Sequence, residues 1–168
     1  MDKGQASPRE AKERERMHDN HDAPTPDHGH GHDHEHGHEH NHNYRESFAV
    51  ASGEAFLEAH THDQAATVSL AICPDEGASI SFSNMADALC DIATEIEAAG
   101  GIVGHIKAFA SQDDAFAHAS VTEANRKPDL EGDVAAPFGP DADIQLVAIA
   151  LLLDEQTLIS ICKRVVSG

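Results

Sequence analysis

Two segments after residue 50 alternate apolar and polar side chains, which is the pattern of half-buried β-strands. Segments 54–62 (EAFLEAHTH) and 65–73 (AATVSLAIC) flank Asp63 and Gln64, and a two-residue turn there predicts a hairpin. In this register apolar residues meet apolar ones on one face and polar residues meet polar ones on the other, as a correct pairing requires. The predicted pairs are Leu57 with Leu70, Ala59 with Val68, His60 with Thr67 and Glu58 with Ser69.

Apolar residues then recur at the spacing of an amphipathic helix, whose apolar stripe must pack on a sheet. Ser83 or Asn84 is suited to cap the start of this helix, and Gly100-Gly101 is suited to end it. The stripe consists of Met85, Leu89, Ile92, Ile96 and Ala99.

Segments 102–110 (IVGHIKAFA) and 115–122 (AFAHASVT) alternate again and predict a second hairpin around residues 111–114. Pairing Ala110 with Ala115 would place two histidines and a lysine on one face of the sheet. The pairs on that face would be Phe109 with Phe116, Lys107 with His118, and His105 with Ser120.

The run 143–153 (DIQLVAIALLL) is almost continuously apolar, which favours a central strand covered on both faces; a buried helix is the competing interpretation. Asp154 can cap a terminal helix with a buried stripe of Leu158, Ile161 and Val165. The element order ββαβββα therefore predicts an α+β fold, a small antiparallel sheet with helices on one face.

The first 46 residues show none of this patterning. We expect residues 1–46 to form a disordered tail, because the segment has little apolar surface whose burial could offset the entropy of ordering it. Residues 47–168 form the predicted folded domain, with five Lys/Arg against nineteen Asp/Glu. Such acidity argues against nucleic acid and anionic membranes as partners, and it favours cations or a basic protein.

The tail is rich in histidine. Its ten histidines, here called the N-terminal histidines, include eight at every second position of one tract, with Gly, Asp, Glu and Asn as spacers. Neutral imidazole is the commonest side-chain ligand of transition metals. The ten are His18, His21, His28, His30, His32, His34, His36, His38, His40 and His42.

The residue types in the tract indicate a metal site without identifying the ion. The affinity of nitrogen and oxygen ligand sets rises towards nickel, copper and zinc, so cellular supply and partner proteins decide the bound ion as much as these residues do. At about two to four imidazoles per ion, the ten histidines would hold roughly two to five ions in interchangeable arrangements. That arrangement is typical of a metal buffer or delivery site and differs from a rigid catalytic one.

The predicted domain holds two further candidate clusters. His60 and His62 project from the same strand face next to Asp63 and could begin a defined metal site, although no third ligand is evident; half-exposed strand histidines without a function are the alternative. The His105, Lys107 and His118 face could bind an anion, a partner's carboxylates or a small substrate, or it could be only a polar sheet face.

Other function classes lack their signals. The sequence has no Walker, GxGxxG, HExxH or GxSxG motif, no apolar run of membrane-spanning length and no apolar core of an export signal. Cys73, Cys90 and Cys162 are odd in number and far apart, which suits a reducing compartment and offers no CxxC pair. These features predict a cytoplasmic protein that does not contact the membrane.

A histidine-rich segment followed by a small α+β region resembles the C-terminal part of CobW-type GTPases. The stretch Gly104 to Ala108 (Gly-His-Ile-Lys-Ala) and the strand Ala119 to Thr122 (Ala-Ser-Val-Thr) carry this resemblance. Those proteins are metallochaperones and metal-centre accessory factors. The chain lacks their phosphate loop and CxCC metal motif, so the resemblance implies an accessory domain that works beside a separate GTPase.

Taken together, the sequence predicts a non-enzymatic, metal-binding accessory protein. It would act as a metallochaperone or metal buffer for nickel, zinc or cobalt and deliver ions to a partner protein, either a GTPase or a metalloenzyme-maturation factor. The alternatives are a small enzyme or corrinoid-related factor that uses the His105, Lys107 and His118 face, and a pure protein-interaction module.

Overall fold

The computed structural model describes residues 43–168, which contain nine strands and two helices. The N-terminal histidines, and the prediction that their segment is disordered, lie outside the described residues. In chain order the elements are β1 (Tyr44–Val50), β2 (Gly53–His62), β3 (Ala65–Pro74), β4 (Ile80–Ser81), α1 (Phe82–Ala98), β5 (Ile102–Gln112), β6 (Ala115–Val121), β7 (Asp129–Gly132), β8 (Pro137–Phe138), β9 (Asp143–Leu151) and α2 (Glu155–Ser167).

Seven strands form one antiparallel sheet in the order β1-β2-β3-β9-β5-β6-β7, and β4 and β8 form a separate two-stranded ribbon. Helix α1 packs against β5 and β6, while α2 packs against β1, β2 and β3. The predicted class, an α+β fold with helices on one face of an antiparallel sheet, is confirmed. The predicted order ββαβββα is wrong, because it lacks β1, β4, β7 and β8. Three of these are four residues or shorter, too short to show periodicity.

The first hairpin has the predicted register. Strands β2 and β3 pair Leu57 with Leu70 and His60 with Thr67 around the two-residue turn Asp63-Gln64. Asp63 adopts a left-handed φ of 54°, a conformation that aspartate tolerates better than most residues. Complementary side-chain pairing on both faces was therefore a reliable guide to this register.

The second hairpin differs from the predicted register by two residues. Strands β5 and β6 continue to Gln112 and Ala115, which pair across a two-residue turn at Asp113-Asp114 instead of a four-residue loop. Asp113 again has a left-handed φ, 52°. A shift of two residues keeps every side chain on its predicted face but changes its neighbour, because alternate strand residues share a face.

Strand β9 lies at the centre of the sheet, between β3 and β5, as its apolar character predicts. The expectation that both of its faces are covered is wrong. Buried residues such as Leu146 and Ala148 alternate with partly exposed ones such as Gln145 and Val147. The helices therefore cover one face of β9, and its apolar Val147 and Ile149 lie on the other.

Both predicted helices are present, with one difference in capping. Helix α1 begins one residue before the predicted caps, with Ser81 as the N-cap residue and no capping hydrogen bond from its side chain. Helix α2 is capped as predicted: Asp154 accepts hydrogen bonds from the Thr157 amide at 2.9 Å and hydroxyl at 2.6 Å, which lower the pKa of the Asp154 carboxyl. Within residues 43–168 neither helix has the length and apolarity to cross a membrane.

The core between helices and sheet is built from small and aliphatic side chains. Among the described residues it contains eleven buried alanines and only two buried phenylalanines, Phe82 and Phe138, which meet edge to face at 6.0 Å. Alanine on the sheet lets a helix approach closely, so the interior is filled without bulky rings. The core of the described domain is therefore mainly aliphatic and rich in alanine.

Strand β1 is joined to α2 by a small polar cluster. Lys163 donates a 2.7 Å hydrogen bond to Glu46 and lies 5.2 Å from the centre of the Phe48 ring, while the Tyr44 hydroxyl donates to Glu46 at 2.6 Å. The Lys163 hydrogen bond, followed by that of Tyr44, holds the pKa of Glu46 below its ordinary value. Residues 44–46, assigned to the tail from the sequence, thus lie within this anchored strand.

Candidate metal-binding surface

The face of the seven-stranded sheet opposite the helices, here called the open face, carries all four histidines of the described chain. The register runs from His60 through Thr67 and Ile149 to His105. His62 lies two residues along β2 from His60, and His118 lies opposite Phe109 on β6, so both share this face. The sequence pattern identified these residues, and the fold places them on one surface.

The open face also exposes aromatic side chains that the sequence analysis did not assign to a surface. Phe56, Phe109 and Phe116 are 46%, 38% and 43% exposed. A shallow groove of about 240 Å³ runs beside Phe56 and is lined by polar and apolar residues of β3 and β9, including Ser69, Gln145 and Val147. The alternating pattern of the sequence showed that these phenylalanines lie on half-buried strands. It did not show that no layer covers the face on which they lie.

His60 and His62 lie at the end of β2, next to the turn into β3. Alternate residues of a strand point to the same side and lie about 7 Å apart at Cα, so both imidazoles project from the open face. His60 is half-buried and His62 is exposed. Two imidazoles at this spacing can act as a pair of ligands for one ion without rearranging the strand.

Asp63 lies beside the second imidazole of this pair. Its carboxylate Oδ2 lies 3.2 Å from Nδ1 of His62. Both side chains are largely exposed, so water screens this contact and the contact does not hold the imidazole in one orientation.

The described chain begins beside this histidine pair. Strand β1 pairs Tyr44 with Ala59 of β2, so the preceding residue, Asn43, comes to the position opposite His60. The N-terminal histidines lie outside the described residues, but the last of them, His42, immediately precedes Asn43. The histidine-rich segment is therefore attached at the end of the sheet that bears His60 and His62.

His105, Lys107 and His118 lie elsewhere on the open face. The corrected register sets Lys107 opposite Ser120 and His118 opposite Phe109, in place of the predicted Lys107–His118 pair. His105 follows an irregularity in the pairing of β5 with β9 at Gly104, where an added Cβ would lie 3.1 Å from the Ile149 carbonyl oxygen. Lys107 and His118 are therefore diagonal neighbours on adjacent strands, and His105 lies two residues before Lys107 on β5.

The folded domain holds no complete metal-binding group by itself. Within residues 43–168 no three His, Cys, Asp or Glu side chains come together in a suitable arrangement. The cysteines are separate: Cys73 is exposed, Cys90 is partly buried, and burial raises the pKa of Cys162 to about 12. Burial, then the nearby Asp87 and Asp91, also raises the pKa of Cys90, so neither of these two favours the thiolate that binds metals.

A partly apolar cleft is found at the opposite end of the sheet. It measures about 370 Å³, lies between the start of α1 and the end of α2, and is lined by Val50, Ile72, Ile80, Met85 and Val166 among others. No acidic, basic or cysteine side chain lines it. Its polar side chains are Ser52, Ser79, Ser81 and Asn84, and no ionisable side chain lies beside these serines in the cleft to activate a hydroxyl.

Comparison of the chain with known protein families, with curated proteins and with solved structures finds no match.

Proposed function

We propose that this protein is a metal-binding accessory protein. The N-terminal histidines take up nickel, zinc or cobalt, and the acidic domain docks onto the partner protein that receives the ion. The observation that carries this proposal is the eightfold His-X-His alternation from His28 to His42, which ends one residue before the described sheet begins. It supplies many imidazoles and carboxylate spacers at one place in the chain.

The mechanism is stepwise ligand exchange. Each ion is held by about two to four imidazoles, and neighbouring histidines can replace one another because they are chemically equivalent. An acceptor with a more rigid set of ligands binds the ion more tightly and removes it from the tract. Proton binding competes with the metal, since only neutral imidazole is a ligand.

The partner is a basic protein that binds the open face. Residues 47–168 carry a net charge of −14 with histidine neutral, which would attract a basic surface over the range of one Debye length. Exposed Phe56 provides an apolar contact between Glu54 and Glu58 on β2, and exposed Phe109 provides another on β5. Such a mixture of apolar and charged groups is suited to a protein interface. The CobW-type resemblance in Gly104–Ala108 supports a GTPase as that partner, and a metalloenzyme-maturation factor has the same requirements.

We place this exchange in the cytoplasm and propose no enzymatic step. The three cysteines are unpaired, as expected in a reducing compartment. An enzyme or corrinoid-related factor using His105, Lys107 and His118 remains the rival, and no specific observation favours it. Deleting residues 18–42 separates the two functions: a chaperone would lose metal delivery, whereas an enzyme would keep its turnover.

The direct test is equilibrium dialysis of the untagged full chain against nickel, zinc or cobalt, followed by elemental analysis. We expect roughly two to five ions per chain for the native sequence. Replacing the eight histidines from His28 to His42 by Asn should reduce the bound metal to about one ion or less. A matched variant, Asp33→Asn with Glu35→Gln and Glu39→Gln, keeps every imidazole and should retain most of the capacity. Equal capacity in the variant that lacks the eight histidines from His28 to His42 would refute the proposal.

A further inference from the structure

We propose that the open face is the contact surface of a reversible homodimer, in which a second copy of the chain packs its own open face against the first. The two copies are related by a two-fold axis that runs parallel to the strands, between β3 and β9. A dimer of this kind goes beyond the proposed function, because it does not require metal. A basic partner that docks on the same face would displace the second copy, and this last step rests on the proposed function.

The centre of the open face has no charge. Six side chains of β3 and β9 form it, here called the central patch, and each is half-buried or exposed. An exposed phenylalanine borders the patch on either side, Phe56 on β2 and Phe109 on β5. The patch consists of Thr67, Ser69, Ala71, Gln145, Val147 and Ile149. An uncharged centre inside a rim that carries charges is the composition of a protein interface.

Three rows of the register cross the four central strands, and the two ends of each row are side chains that attract one another. The ends are Phe56 and Phe109, Glu58 and Lys107, and His60 and His105. A two-fold axis along the strands between β3 and β9 exchanges the two ends of every row. A ring therefore faces a ring of the second copy, a carboxylate faces an ammonium, and an imidazole faces an imidazole with which it can share a hydrogen bond.

The central patch is complementary to itself under the same axis. In every row β3 carries the smaller side chain and β9 the larger one. The pairs are Thr67 with Ile149, Ser69 with Val147, and Ala71 with Gln145. The two-fold axis places β9 of one copy over β3 of the other, so each larger side chain meets a smaller one. Such alternation lets two sheet faces interdigitate when they pack about 10 Å apart with their strands within about 30° of each other.

The charges favour this axis over the other two-fold axis that would align the strands. An axis across the strands, along the row of Glu58, would set Glu58 on Glu58 and Lys107 on Lys107 of the second copy, which is strongly unfavourable. Lys107 is exposed and forms no ion pair with any residue of 43–168. Glu58 pairs with Arg45 at 2.9 Å, but both side chains are more than half exposed, so the carboxylate can accept a second partner.

The open face is large enough for a stable dimer. Three strands lie on each side of the axis, and at about 4.8 Å between strands and 3.4 Å per residue these six strands cover roughly 800 Å². A protein interface of standard size buries about 800 Å² on each partner. The net charge of −14 on residues 47–168 opposes self-association, but at about 0.15 M salt charges more than about 8 Å apart are largely screened. The charges within the contact therefore decide the outcome.

The test is sedimentation velocity of the untagged full chain over a wide range of concentration, at about 0.15 M salt. A chelator is present, so that metal ions cannot join two chains through their histidines. We expect a reversible equilibrium between monomer and dimer that depends on concentration. Lys107→Glu and Glu58→Lys should each raise the dissociation constant by at least about tenfold, because each sets two like-charged pairs across the interface. The chain with both changes has each pair with its signs exchanged and should return to within about threefold of the native value.

Arg164→Glu and Glu95→Lys are the matched controls. They change the net charge by the same amounts, but this pair joins α2 to α1 on the other side of the sheet, so both variants should dimerise as the native chain does. A second readout needs no variant. On dilution of the native protein the methyl NMR signals of Val147 and Ile149 should move with the fraction of monomer, whereas those of buried Leu158 should keep their positions.

A chain that is monomeric over the whole range would overturn the dimer and leave the open face to the basic partner or to the N-terminal segment of the same chain. A dimer that withstands both charge reversals, or one that the double change does not restore, would overturn the two-fold arrangement. Metal uptake by the N-terminal histidines is measured separately, so either result would leave the proposed metal binding standing.

Discussion

The two faces of the seven-stranded sheet have similar strand backbones and very different roles. The covered face packs alanine and aliphatic side chains against α1 and α2, and among the described residues it buries no polar or charged side chain. The open face carries His60, His62, His105 and His118 together with exposed phenylalanines. The stability of this domain and its proposed chemistry therefore depend on different sets of residues, so each set can be changed separately.

The largest expected difference between the faces is in thiol reactivity. Cys73 is exposed at the end of β3, opposite Glu54 on the open face, whereas Cys162 is fully buried on α2. With its pKa raised to about 12 by burial, only about 10⁻⁴ of the Cys162 thiol would be ionised at pH 8. We expect a disulfide reagent to modify Cys73 in the folded protein and to leave Cys162 intact until the domain unfolds.

Mass spectrometry of tryptic peptides after timed labelling measures both rates in one sample, and Cys73→Ser removes the fast phase as a control. Rapid labelling of Cys162 in native conditions would show that α2 does not pack on the sheet as described.

The next largest effect is on stability and uses a pair of isoleucines. Ile106 of β5 is completely buried on the covered face, and Ile149 of β9 is half-buried on the open face. Ile106→Ala should lower the free energy of unfolding by about 3 kcal/mol through lost burial and the cavity left behind. Ile149→Ala removes the same atoms from a less buried position and should cost about 1 kcal/mol. Urea denaturation of both variants measures the difference, and equal losses would contradict the uncovered state of the open face.

A smaller effect is expected where β1 meets α2. Lys163→Ala removes the hydrogen bond to Glu46 and the contact with the Phe48 ring, so the amide protons of β1 should exchange faster while those of central β9 keep their rates. The partners are about one third exposed, so the global stability should fall by less than in Ile106→Ala. Arg164→Ala, which removes only an exposed pair with Glu95, is the matched control.

The pair of Glu46 and Lys163 also predicts how the stability of the fold depends on pH. The folded-state pKa of Glu46 lies below its ordinary value of 4.5, so the pair stabilises the fold above that pH. This contribution is lost as the pH falls through the lowered pKa, because the protonated carboxyl no longer pairs with Lys163. The Lys163→Ala variant already lacks this pair, so its free energy of unfolding should fall less on acidification than that of the native protein. An unchanged acid transition in this variant would contradict the stabilising role of the pair.

The sequence predicted those parts of the fold whose signals are local. The hairpin around Asp63-Gln64 and most of both helix stripes follow from short-range alternation and periodicity. Two predicted stripe residues are exceptions: Ala99 is exposed just beyond α1, and Val165 is only half-buried. Strand β1 was missed because its inner face carries Glu46, whose charge is balanced by Lys163, 117 residues further along the chain. The register of the second hairpin was wrong by two residues, since alanines in both strands make neighbouring registers almost equally compatible with the core.

The candidate site was predictable in residue type and only partly in arrangement. The alternation of histidine with glycine and carboxylates is explicit in the sequence, and so is the His60-X-His62 spacing. The attachment of the tract beside His60 was not, because it depends on the pairing of Tyr44 with Ala59 across a strand that the pattern did not reveal. Position on the sheet, and not residue type, distinguishes His60 and His62 from His105 and His118.

The central claim, that imidazoles of the N-terminal segment collect metal ions, is tested most directly by isothermal titration of the untagged full chain with nickel or zinc at pH 7 and pH 5. Histidine has an ordinary pKa near 6.5, so the tract should lose most of its free ligands over this range. We expect binding of roughly two to five ions at pH 7 and almost none at pH 5. Metal affinity that stays constant between these two pH values would contradict it.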